Sequence, residues 1–191
     1  MLYSPLVEQA MRFAAAAHEA QRRKGTDIPY LTHLAGVALI LSRGGFDDDD
    51  ILAAALLHDA VEDTQVTTGE IEALFGSRVA ERVTAVSEVK HDEEGVALPW
   101  RHRKEEHVAR LRSEPVEARA IALADKIHNV GTLLDDLVAD ATAWTRFSTP
   151  PAEQLWYHDS IIDAIGDEPR LMRLKEEYRT LLERLRMLAT E

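Results

Sequence analysis

The sequence predicts an all-α protein, a helical bundle of about nine helices. Apolar residues recur with the 3.6-residue period of a helix face nearly throughout, and no segment alternates convincingly with period two. Helix stops and starts also punctuate the chain: glycines after cationic turns, prolines at helix entries, and acidic residues at N-termini. At 191 residues the chain is long enough for one substantial core and too short for two, so residues 1–191 are read as a single domain.

The first helix is expected from about Pro5 to Arg22, stopped by Lys24-Gly25-Thr26-Asp27. Pro29-Tyr30-Leu31-Thr32-His33 opens the second, which reaches Gly44-Gly45. Asp47 to Asp50 precede the third, where acid complements the helix dipole, and its helical spacing continues through Asp63. Thr67-Thr68-Gly69-Glu70 starts a short helix ending near Phe75-Gly76, and Ser77 caps the next, which runs to about Glu88. His91 to Trp100 carries charge, Gly95 and Pro99, and reads as a mobile loop. A charged helix covers about Arg101 to Arg112, and a long apolar-periodic one runs from Pro115 through Leu137. After Thr149-Pro150-Pro151, two more span roughly Ala152–Ile165 and Glu168–Met187. There is no internal repeat and no low-complexity tract.

Composition narrows the functional classes. Hydrophobic residues at 46% and charged residues at 29% are ordinary for a soluble globular protein. The absence of cysteine excludes thiol catalysis, zinc-thiolate sites and disulfides, and accords with a cytoplasmic location. The N-terminus does not resemble a signal peptide, and no apolar stretch approaches the roughly 20 residues of a membrane span. A formal net charge of −12 argues against nucleic acid as a partner. An anionic small molecule remains compatible, because Arg22-Arg23-Lys24 and Arg101-His102-Arg103-Lys104 concentrate cations locally. The oligomeric state is open, a homo-oligomer included.

The chemistry is concentrated where the apolar run Ala53-Ala54-Ala55-Leu56-Leu57 meets His58, Asp59, Glu62 and Asp63. On a helix Glu62 lies at i+4 from His58 and i+3 from Asp59, and Asp63 at i+4 from Asp59, so the four share one end of a face. Burying unpaired charge costs several kcal/mol, and a divalent cation is the natural compensating partner. His33 is a second candidate, and Asp125 breaks another apolar run, Ala120 to Asn129, with Asn129 and Thr132 following at i+4 and i+7. Taken singly, His33 reads more readily as a hydrogen-bonded core histidine than as a ligand, and Asp125 reads equally as an internal cap or an ion pair with Lys126. Taken together, His33, His58, Asp59 and Asp125 make a two-histidine, two-aspartate ligand set. Such a mixture suits Mn²⁺, Fe²⁺ or Zn²⁺ better than Ca²⁺. His18 and His128 lie beside these motifs with no assigned role.

These motifs resemble the HD superfamily of metal-dependent phosphohydrolases, and more closely the hydrolase domain of the Rel/Spo alarmone enzymes and the stand-alone small alarmone hydrolases. The resemblance rests on His18-(x)₂-Gln21-Arg22-Arg23-Lys24-Gly25, Pro29-Tyr30-Leu31-Thr32-His33, Leu57-His58-Asp59-Ala60-Val61-Glu62-Asp63-Thr64, Phe75-Gly76 and Leu123-Ala124-Asp125-Lys126-Ile127-His128-Asn129. It covers about residues 5–137. The family implies one Mn²⁺ held by His33, His58, Asp59 and Asp125, with Fe²⁺ or Zn²⁺ less favoured. It implies Glu62 and Asp63 as the pair that positions and activates water. It also implies Arg23, Lys24, Asn129 and Thr132 as nucleotide contacts, the arginine packing on the base. The expected reaction is removal of the 3′-pyrophosphate from a purine alarmone, ppGpp or pppGpp or the adenosine counterparts, releasing pyrophosphate. Two alternatives stay open: a phosphatase acting on another nucleotide, such as the 2′-phosphate of NADPH or a monophosphate, and a non-catalytic nucleotide-binding HD domain. Leu34 stands where the family often has proline, Gly131 where the long enzymes often have arginine, and the segment Trp144–Tyr157 is unlike the best-known members. These departures fall on the nucleotide side and leave the metal set intact.

Overall fold

A computed structural model describes residues 4–92 and 94–189 of the chain. Among these residues there are ten α-helices, nine of them of eight residues or more, and two short 3₁₀ segments, with no β-strand beyond two isolated bridges. The order is α1 (Pro5–Ala17), α2 (Leu31–Arg43), α3 (Asp49–Leu57), α4 (Ala60–Asp63), α5 (Thr68–Phe75), α6 (Ser77–Val86), α7 (Trp100–Leu111), α8 (Val116–Ala139), α9 (Pro151–Ile165) and α10 (Met172–Ala189). The 3₁₀ segments are Ala141–Arg146 and Pro169–Leu171. No helix is long and apolar enough to cross a membrane.

Two helices form the centre. All seven residues from Ile51 to Leu57 in α3 are buried, and the fully buried Ala53, Ala54 and Ala55 let α1, α2 and α6 pack closely around it. The 24-residue α8 is buried continuously from Ala120 to Asp125 and packs on α2 and α10. One contiguous apolar cluster runs from Val7 in α1 to Leu185 in α10. Polar side chains emerging from α2, α3 and α8 are therefore held by the same core.

The element boundaries bring four corrections. First, α1 stops at Ala17 and not near Arg22, because the chain folds back on itself: Arg23 N–H donates to the Ile28 carbonyl at 2.8 Å and Tyr30 N–H to Gln21 at 3.1 Å. Gly25, at φ 74°, turns this loop with Arg146 packed against it, where a Cβ would sit 2.6 Å from the Arg146 side chain. Second, the third helix does not continue through Asp63. It ends at Leu57, His58 and Asp59 form a turn, and α4 begins at Ala60. His58 Nδ1 lies 2.7 Å from the Ala55 carbonyl, the acceptor that a continuing helix would offer to the N–H of residue 59. Third, Ser77 makes no side-chain cap; Gly76, at φ 88°, is the N-cap of α6 and its left-handed conformation turns the chain out of α5. Fourth, the 3₁₀ segment Ala141–Arg146 was not anticipated. Its turns lack a 3.6-residue period, so periodicity does not reveal it.

Candidate functional site

His33 leaves the first turn of α2, His58 and Asp59 form the α3–α4 turn, and Asp125 sits midway along α8. Their side chains converge. His33 Nε2 is 3.2 Å from Asp125 Oδ1 and 3.6 Å from Asp59 Oδ2; His58 Nε2 is 3.0 Å from Asp59 Oδ2 and 3.9 Å from Asp125 Oδ1. Both Nε2 atoms are buried without a hydrogen-bond partner, which buried polar atoms rarely tolerate. His33, His58 and Asp125 place ligand atoms within 4.8 Å of one another, the geometry of a divalent-metal site.

The surroundings orient these nitrogens. A carbonyl only accepts, so the proton of neutral His58 rests on Nδ1 against Ala55 and Nε2 presents its lone pair inward. His33 Nδ1 meets His128 Nδ1 at 3.0 Å. Burial, then the neighbouring His33 and Arg23, lower the His128 pKa to about 4, so that ring is neutral and accepts the His33 proton. His128 can reach α2 only because residue 36 is glycine: a Cβ there would lie 2.2 Å from the ring. Tyr30 donates its hydroxyl to Asp59 Oδ2 at 2.6 Å. Lys126 donates to Asp125 Oδ2 at 2.6 Å and Asn129 to Asp125 Oδ1 at 2.5 Å. Outer contacts of this kind fix the orientation of the ligands in metal sites.

Burial would raise both aspartates, yet the facing imidazoles, and Lys126 for Asp125, hold them well below the usual carboxylate range. For His58, burial lowers the pKa, but the charges of Asp59 and Asp125 win and raise it to about 9. The donor set, two imidazoles and two carboxylates with His33 Nε2, His58 Nε2, Asp59 Oδ2 and Asp125 Oδ1 brought close together, fits a divalent ion.

Glu62 and Asp63 stand beside this cluster on α4. Glu62 Oε2 accepts the Glu88 N–H at 3.0 Å, while Lys90 Nζ lies 3.1 Å from Glu62 Oε1 and 2.6 Å from Asp63 Oδ1. Asp63 Oδ2 also accepts from Gln21 at 2.9 Å, and Gln21 is in turn oriented by His18 Nδ1 at 2.5 Å. Burial first, and then Asp59, raise the Glu62 pKa. Of the lysines near Asp59, Glu62, Asp63 and Asp125, Lys90 pairs with Glu62 and Asp63 and Lys126 with Asp125, and a divalent cation would offset further negative charge.

A small cavity of about 180 Å³ over the cluster adjoins a larger one of about 830 Å³. Arg23 lines the larger cavity, donating to Asn129 Oδ1 at 2.7 Å and Thr132 Oγ1 at 3.3 Å. Lys24 lies over the Phe147 ring, 5.3 Å from its centroid, away from the carboxylates. All four expected nucleotide residues thus border one cavity, and Asn129 touches both Arg23 and Asp125. Of the basic run, Arg103 and Lys104 line the cavity and pair with Glu88, whereas Arg101 stacks on Trp156 and pairs with Glu105 and Glu153. No described residue of the 91–99 loop lines it. Glu88, Phe147 and Arg146 carried no signal beyond their residue type, Lys104 stood out only as part of the basic run, and His128 had no assigned role. For Tyr30 and Lys126 the motifs themselves contained the hint, since each lies inside a quoted segment.

The helical fold and the histidine–aspartate cluster together define a class. The HD-domain family model matches residues 10–146, and the chain belongs to the HD-domain family of phosphohydrolases. Over 130 residues it is 42% identical to the guanosine-3′,5′-bis(diphosphate) 3′-pyrophosphohydrolase MESH1 of Xenopus tropicalis, spanning 67% of this chain and 69% of that one. It is 38% identical over 133 residues to the bifunctional (p)ppGpp synthase/hydrolase SpoT of Escherichia coli, covering 66% of this chain and 18% of that much longer protein. A solved structure of a metazoan SpoT ortholog, described as hydrolysing ppGpp, superposes with a TM-score of 0.77 at 28% identity, covering 95% and 96% of the two chains.

Proposed function

We propose that the chain is a Mn²⁺-dependent 3′-pyrophosphohydrolase of purine alarmones, acting on ppGpp and pppGpp or their adenosine counterparts, with residues 1–191 working as one HD unit. The observation that carries the reading is the pair of buried, unpartnered Nε2 atoms of His33 and His58. They face Asp59 and Asp125 next to a carboxylate pair, at the end of a cation-lined cavity of nucleotide dimensions. The similarity to MESH1 and SpoT supports the choice of substrate.

His33, His58, Asp59 and Asp125 would hold the metal, which supplies Lewis acidity and neutralises phosphoryl charge. Arg23, set flat against the Asn129 and Thr132 end, offers a planar cation on which a purine stacks. Arg103 and Lys104, while keeping their pairing with Glu88, and Lys24 at the cavity wall offer charge to phosphate groups. Glu62, beside Asp63, orients the attacking water and takes its proton; its raised pKa makes it a better base than an exposed carboxylate. Water oxygen bonds to the phosphorus, the 3′-oxygen–phosphorus bond breaks, the 3′-oxygen is protonated, and pyrophosphate leaves. Charge neutralisation and alignment supply most of the help that phosphoryl transfer needs.

The test is a panel of ppGpp, its adenosine counterpart, NADPH and nucleoside monophosphates, with Mn²⁺ and with chelator. Mn²⁺-dependent release of pyrophosphate from the 3′-pyrophosphates is the expected result. Orthophosphate from NADPH or a monophosphate as the main product would replace this reading with a phosphatase, and binding without turnover would make the chain a sensor.

A further inference from the structure

Lys90 lies in the connection between α6 and α7, more than 25 residues from the carboxylates it touches. Its ammonium group meets three oxygens: Asp63 Oδ1 at 2.6 Å, Glu62 Oε1 at 3.1 Å and the Glu62 carbonyl at 3.3 Å. An exposed ion pair would contribute little. This one differs because both partners are held. The Glu62 and Asp63 side chains are largely buried, at 19% and 20% exposed. The segment carrying Lys90 is pinned by α7: Arg110 donates to the Ser87 carbonyl, Arg103 lies 2.6 Å from Glu88, and Lys104 contacts the same carboxylate. Glu88 then passes its N–H to Glu62 Oε2.

We propose that Lys90 is a positioning residue for the water-activating pair: its ammonium and the Glu88 N–H grip opposite oxygens of Glu62 and fix the plane of that carboxylate. Each carboxylate oxygen has two lone pairs, so this grip leaves one on each free to accept a water proton. Lys90 also offsets the repulsion between these two adjacent carboxylates. Burial and Asp59 raise the Glu62 pKa, and the Glu88 N–H and Lys90 pull it back. Lys90 would thus act through Glu62 and not by touching substrate.

This inference rests on the proposed hydrolase reading for its kinetic arm only. Lys90→Met should keep Mn²⁺ affinity and KM within about twofold and lose kcat by about 10–100-fold, as outer-shell partners typically do. Lys90→Arg, which keeps the charge, should recover most of the rate. In a Glu62→Gln background the Lys90→Met change should add little further loss, because the carboxylate whose plane Lys90 fixes is gone even though the Asp63 contact remains. A crystal structure of Lys90→Met supplies a readout independent of activity: the Glu62 carboxylate should leave the Glu88 N–H. An unmoved Glu62, a rise in KM at constant kcat, or an equal loss in the Glu62→Gln background would each overturn the positioning role. A wild-type protein inactive on the whole nucleotide panel would overturn the hydrolase reading instead, and the Glu62 position in the variant would still decide the claim about Lys90.

Discussion

His33, His58, Asp59 and Asp125 reach one point from three core helices, and their backbones are locked by packing on α1, α6 and α10. Arg23, Lys24, Asn129 and Thr132 line an open cavity, where Arg23 donates to both Asn129 and Thr132. The first group cannot adjust without unpacking the protein; the second can rearrange by rotamer changes alone. The departures from the family pattern divide between the two. Phe147, Gln154 and Tyr157 of the Trp144–Tyr157 segment line the open cavity and Gly131 sits on α8 between the lining residues Val130 and Thr132, whereas Leu34 is a fully buried core residue beside His33, away from the cavity wall. Chemistry is tied to the core, and specificity to the part of the wall that can vary.

The most severe way to break this contrast is His58→Ala, which should abolish metal retention together with hydrolysis, whereas a cavity-wall variant should keep its metal. Metal analysis after gel filtration decides, and a stoichiometric ion in His58→Ala would remove the site from this end of the molecule. Glu62→Gln should separate chemistry from binding: metal retained, kcat down by about 10²–10⁴-fold. Equal turnover by that variant would exclude Glu62 as the base.

His128→Ala should cost about 10–100-fold in metal affinity, since His33 loses the acceptor that fixes its ring. The cation is also expected to displace the proton held by His58, whose pKa in the metal-free protein is raised to about 9. Affinity should therefore climb by about tenfold per pH unit from pH 7 toward 9 and then level, with close to one proton released per ion. Calorimetry in buffers of different ionisation enthalpy measures this directly; release of no proton would show that His58 is already neutral. Smallest of all, Arg23→Ala should raise KM by roughly tenfold with little change in kcat, the value of one or two lost hydrogen bonds in a partly solvated wall. A matching fall in kcat would move Arg23 from binding into the chemical step.

Much of this was legible in the residues. The helical class followed from periodicity, and the ligand set from polar groups interrupting apolar runs at Leu57-His58 and Ala124-Asp125, where burial leaves little room for another explanation. The α3–α4 break was not legible, because it depends on His58 Nδ1 taking the Ala55 carbonyl, a competition that helical spacing does not display. Nor was His128, whose role depends on the missing Cβ at Gly36 on another helix. Lys24 shows a further limit: its neighbour in the motif, Arg23, faces Asn129, yet Lys24 turns to Phe147, a residue outside every motif.

From the sequence alone came the helices, the apolar core and the residues proposed as the metal-facing set and the acidic pair, since each is marked by a local pattern of burial and charge. Only the tertiary structure decided which nitrogen of each histidine faces the centre, that Asn129 ties the base side to the metal side, and that a lysine from the α6–α7 connection meets Glu62 and Asp63. These relations join residues from 4 to more than 100 positions apart, and distance through space carries no trace in the order of the chain.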